Sequence, residues 1–126
     1  MIYQKDWLMR QIEAMVSFLI HIIFHRTEEH AGTEPEQTTQ EEIANQAKLH
    51  DLLRAGQLCT AEDWLYENMD EADLMWFRLA VYFYEEANQC TDSFLEAHNF
   101  PREEILSGLA EICRVYGMED LLKLGL

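Results

Sequence analysis

Apolar residues near the start of the chain recur at helical spacing. Leu8, Ile12, Met15, Leu19 and Ile22 are separated by 4, 3, 4 and 3 residues, which keeps them on one seam at about 100° per residue. Val16, Ile20, Ile23 and Phe24 widen the apolar arc on one side of the seam, and Trp7 and Phe18 widen it on the other. Only Arg10, Glu13, Ala14, Ser17, His21 and His25 remain as a polar strip. An arc this wide must be covered from more than one side: by the rest of the domain, by a second copy of the chain, or, third in order, by a lipid surface. The polar run "TEEHAGTEPEQTT" that follows reads as a linker. The chain thus divides into an N-terminal amphipathic helix (1–26), a linker (27–39) and a helical domain (40–126).

Within that domain the pattern predicts a second helix beginning near Pro35 or Thr39 and running to Ala55. Ile43, Ala47, His50 and Arg54 form one row beside Leu49, Leu52 and Leu53, and Gly56 is the stop. A third helix is expected from Thr60, whose hydroxyl would cap the amides of Glu62 or Asp63, with Trp64, Leu65 and Met69 turned inward. The fourth, "ADLMWFRLAVYFYEEA", is apolar almost all round and belongs at the centre. A short fifth helix from Thr91 to His98 leads into a sixth, introduced by Pro101, Glu103 and Glu104. Ile105, Leu109, Ile112 and Tyr116 are its buried row, Gly117 ends it, and "MEDLLKLGL" adds a last amphipathic turn or two. No stretch alternates as a strand does. The expected fold is all-α, antiparallel helical hairpins with a long N-terminal amphipathic helix.

The segment "LLRAGQLCTAEDWLYENM" resembles a tetratricopeptide-type hairpin, through Leu52, Leu53 and Gly56 on its first helix and Ala61 and Leu65 on its second. "WFRLAVYF" repeats part of that spacing at Trp76, Leu79, Ala80 and Phe83, although the small residues that should follow Phe83 are missing. The resemblance implies a tetratricopeptide-like array that binds protein. Most of the chain, "YQKDWLMRQIE" in particular, is also similar to small bacterial proteins grouped only as a domain of unknown function, which implies no activity.

Composition narrows the partners. The chain has 126 residues, 48% of them hydrophobic, with 5 Gly and 2 Pro, and suits one packed domain. Acids outnumber bases 24 to 9, and the net charge of -15 repels a phosphate backbone, which excludes nucleic acid. The imbalance is uneven. Lys5, Arg10 and Arg26 face only Asp6 and Glu13 in the first 26 positions, whereas 6 bases face 22 acids afterwards. The apolar start is no signal peptide, because charges interrupt it and bulky residues follow it. Its uncharged run, Ala14 to Phe24, is too short for a span. Cys59, Cys90 and Cys113 are odd in number and widely spaced, which suits reduced thiols in the cytoplasm and no disulfide framework.

Two features could carry chemistry. His21 and His25 lie four apart on one helix, a metal-holding spacing, with His30, Glu28 and Glu29 close behind; without a third ligand on a rigid element, a polar helix strip is the preferred reading. Arg78 is a charge inside an apolar helix and needs an acid partner from another helix, or else anchors a ligand anion in a cleft lined by Tyr82, Tyr84, Glu85 and Glu86. "DEAD" at Asp70–Asp73 lacks any phosphate-cradling loop, and the acids from Glu62 to Asp73 lack the calcium-loop pattern. No nucleophile sits beside a base, and no cofactor is implied. The expectation is a cytoplasmic interaction module, with no motif that supports an enzyme, that self-associates as a homodimer or meets a partner protein through Leu8, Ile12, Met15, Leu19, Ile22 and Ile23. The alternative is a small enzyme or ligand-binding protein with an anionic ligand at Arg78.

Overall fold

Six helices carry the described part of the computed structural model, residues 2–29 and 39–119, with side chains placed at 6–22 and 39–119: α1 (Ile2–Glu29), α2 (Gln40–Arg54), α3 (Leu58–Asn68), α4 (Leu74–Asn88), α5 (Asp92–Ala97) and α6 (Arg102–Val115). No strand occurs among the described residues, so the fold is all-α. α1 continues to Glu29, three residues into the stretch read as linker; residues 30–38 of that stretch and the terminal "DLLKLGL" lie outside the described residues.

Local chemistry sets most helix ends. The side chains of Thr39, Asp73 and Thr91 accept from the amides of Glu42 (3.1 Å), Met75 (3.0 Å) and Phe94 (3.1 Å), so that α2, α4 and α5 each begin on a side-chain cap. The ends of α2, α5 and α6 share one device. A residue at positive φ (Gly56, Asn99 or Gly117) turns the chain, and the next amide reaches back to the carbonyl of Leu52, Leu95 or Cys113, at 2.8, 2.9 and 2.7 Å. The residues that donate these last two bonds, Phe100 and Met118, are fully buried, so each turn also drives an apolar side chain into the core. The expected Thr60 cap does not form. Because the chain leaves Gly56 directly into helix, α3 starts two residues earlier at a fully buried Leu58, behind Gln57, which makes no side-chain cap.

α4 lies at the centre, packed against α1, α2, α3 and α6. Phe77, Leu79, Ala80, Val81, Phe83, Tyr84 and Ala87 are all buried on it, which accounts for an apolar pattern on nearly every side. α1 packs on α4 and α6, burying Ile12, Met15, Val16 and Leu19 with Ile22 partly covered. The chain's own core thus takes the centre of the seam, and the first helix belongs to the same core as residues 40–119. Ile23 and Phe24 lie outside the described side chains.

Glu42 on α2 meets Arg78 on α4, and His50 meets Glu86, both 36 residues apart. A constant offset requires α2 and α4 to run side by side in the same direction, with α3 carrying the chain back between them. The α2 row differs from the expected one: Glu42, Leu49 and Leu53 are buried, while Ile43 is 57% exposed and Ala47 also faces outward. Arg78 is the reason, since a guanidinium on the central helix draws a carboxylate inward and rotates Ile43 out.

Candidate functional site

Arg78 is held by Glu42 in a two-pronged pair: Nε donates to Oε2 at 3.0 Å and Nη2 to Oε1 at 2.6 Å. Glu42 is buried, and the Arg78 side chain keeps about a quarter of its surface in solvent (27%). Two turns on, His50 Nδ1 contacts the Glu86 carboxylate, and burial pushes the neighbouring Tyr82 phenol up. The α2–α4 contact therefore carries two polar pairs, Glu42–Arg78 and His50–Glu86, eight residues apart on both helices. Tyr84, grouped with Tyr82 by sequence, points the other way, to α3 and α6.

There the Tyr84 hydroxyl donates to Glu62, and the Tyr66 hydroxyl lies 3.4 Å from both the Tyr84 hydroxyl and the Gly108 carbonyl. Burial lifts the Glu62 carboxyl above the usual glutamate range, opposed by the bond it accepts from Tyr84; Glu104 and Asp63 push the same way as burial. Burial first, and then the Glu62 charge, pushes the Tyr84 phenol far up, so it stays a neutral donor. Gly108 makes room for this network, because a Cβ there would stand 2.3 Å from the Tyr84 ring carbon and oxygen. Tyr116 likewise donates to the carbonyls of Asp70 (2.8 Å) and Asp73 (2.9 Å), and burial, with Asp73 and Asp70 nearby, raises it to about 12.

The sequence reading missed Arg102. It is 7% exposed, with Nε on Asp92 Oδ1 (2.9 Å), Nη1 on the Asn88 carbonyl (2.6 Å) and Oδ1 (2.8 Å), and Nη2 on the Cys90 carbonyl (2.7 Å). Asn88 in turn donates to the Met9 carbonyl at 3.2 Å, so one guanidinium ties the end of α4 to α1, α5 and α6. The available signal was a cation at the first position of a helix, where the dipole disfavours it, directly after Pro101.

The buried polar groups of these networks are thus matched to one another, whereas Glu86 Oε2 is buried without a hydrogen-bond partner among the described residues. Among the described residues no group of three His, Cys, Asp or Glu is placed to hold a metal; His21 is exposed on α1, and His25 lies outside the described side chains. Among the described residues, the large apolar side chains that face solvent are Trp7 (58%), Ile20 (48%) and Ile43 (57%). Trp7 and Ile20 stand about 140° apart around α1, on opposite flanks of the seam. The Trp7 flank carries Arg10 and His21, while the Ile20 flank carries Asp6 and Glu13. A groove of about 300 Å³ runs along the second, lined by Glu13, Val16, Ser17 and Ile20 of α1 and Glu85, Asn88 and Gln89 of α4. Among the described residues no helix is long and apolar enough to cross a membrane.

Residues 2–117 match a family described as a family of unknown function (DUF6483). No curated protein and no solved structure matches the chain.

Proposed function

We propose that this chain, which belongs to the DUF6483 family of unknown function, is a protein-interaction module that self-associates through the Trp7 flank of α1. The observation that carries the reading is the exposure of Trp7 on the one part of an otherwise strongly acidic chain where charges nearly balance. Two copies that each carry -15 repel over most of their surface. Contact through α1 brings together Trp7, Ala14 and the half-buried Phe18 with Arg10 as the nearest charge, and a two-fold axis would place the same stripe on both copies. The seam residues Ile12, Met15 and Leu19 support the helix from beneath and are not themselves the contact surface. The pairing of Arg78 with Glu42 weighs against the ligand-anion alternative, because an incoming anion would have to displace a buried carboxylate.

Light scattering across a concentration series at physiological salt tests the proposal. The expected mass is twice 14.9 kDa for the intact chain and once that value for Trp7→Glu, with unchanged circular dichroism because Trp7 lies outside the core. A monomer at about 100 µM, well above the micromolar Kd of a weak but specific contact, or a dimer indifferent to Trp7→Glu, overturns it.

A further inference from the structure

The opposite flank of α1 fits a different occupant. We infer that the groove between α1 and α4 docks a basic amphipathic helix from a partner protein, an aliphatic side chain seated on Val16 and Ile20 and a Lys or Arg on either side meeting Glu13 and Glu85. Three observations converge on it. The groove has an apolar floor, with Ile20 left 48% exposed where a core residue would be covered. Its charged lining is acidic only, and among the described residues neither Glu13 nor Glu85 is engaged in an ion pair. Its remaining edge offers Ser17 and Gln89 for hydrogen bonds.

Geometry sets the size of the occupant. Glu13, Val16, Ser17 and Ile20 are at i, i+3, i+4 and i+7, a stripe about 10 Å long that two helical turns would cover. Charge decides its chemistry. A second copy of this chain would bring more acid to an acidic groove, and an anionic membrane or nucleic acid would be repelled for the same reason, whereas a cationic helix is drawn in by the field of the whole chain. This inference stands whether or not the chain self-associates, since it uses the flank that Trp7 does not occupy.

The test uses the full chain and a synthetic amphipathic peptide of about four helical turns built from Lys, Leu and Ala. Its controls are a scrambled peptide of the same composition and a counterpart with Glu in place of Lys. Titration calorimetry at low and at physiological salt should show binding of the first peptide only, weakening as salt rises. Glu13→Gln with Glu85→Gln should weaken it at least tenfold, as should Ile20→Ser. Glu41→Gln with Glu103→Gln, an equal loss of charge at exposed positions on α2 and α6, should leave it within about twofold, by the steep fall of screened interactions with distance. Equal loss in both double variants would reduce the attraction to general charge and overturn the site, as would binding of the scrambled peptide with the same affinity. Light scattering on the same variants separates this outcome from a failure of self-association.

Discussion

Removing the Arg78 guanidinium should destabilise the fold by leaving a buried carboxylate without its partner. Glu42 is only 8% exposed, and its two oxygens receive separate bonds of 3.0 and 2.6 Å from Arg78. Deleting one member of a fully buried pair costs about 3–5 kcal/mol, whereas an exposed pair is worth under about 1. The Arg78 side chain is 27% exposed, so water can partly reach the orphaned Glu42; the expected loss for Arg78→Met is about 2–3 kcal/mol. For a chain of this size that corresponds to a fall in Tm of roughly 10 °C. Urea titrations followed by circular dichroism would measure it, with the slope m unchanged if the native state stays compact. The double variant Arg78→Met/Glu42→Leu should be more stable than Arg78→Met alone, because it leaves no orphan charge and places apolar volume between α2 and α4. A single-variant loss below about 0.5 kcal/mol, or single losses that add with no coupling, would refute the reasoning and mean that the pair contributes no more than a surface contact.

Gly108→Ala should cost about 1–3 kcal/mol despite alanine's better helix propensity, since the new methyl would overlap Tyr84 in a packed interior; adding Tyr84→Phe should recover part of the loss in the same urea assay, and a neutral Gly108→Ala would disprove the close approach. Glu62 binds its proton more tightly folded than unfolded, so its contribution to stability is present at low pH and declines as pH rises from the ordinary glutamate range through the raised value. Glu62→Gln, which keeps an acceptor for Tyr84, should therefore be more stable than the parent at neutral pH, the two converging in acid; a difference of constant size across the pH range would contradict the sign. Alkylation followed by mass spectrometry should modify exposed Cys59 first, then half-buried Cys90, and Cys113, whose thiol burial raises to about 11, only on unfolding. Modification of Cys113 at a native rate equal to that of Cys59 would show its burial to be transient.

Periodicity alone was enough for the all-α class, the central place of the fourth helix, the buried row Ile105, Leu109, Ile112 and Tyr116 of α6, and the stops at Gly56 and Gly117. These properties are local: a 3.6-residue repeat marks which face is apolar, and a left-handed turn demands a residue that tolerates positive φ. The need of Arg78 for an acid was equally legible, because the cost of burying a lone charge does not depend on which residue relieves it. That the acid is Glu42 was decided only when α2 settled beside α4 at a 36-residue offset, rotating Ile43 out to solvent. Arg102 was hidden for the same reason, since its four acceptors on three residues come together only when the end of α4 meets α5 and α6. The wide apolar arc of α1 shows the division most clearly. Its amphipathicity follows from the order of residues, whereas the division of that arc into a core seam, an exposed Trp7 flank and an acidic Ile20 groove depends on where α4 and α6 lie against it, because burial is a property of neighbours that the chain brings together only by folding.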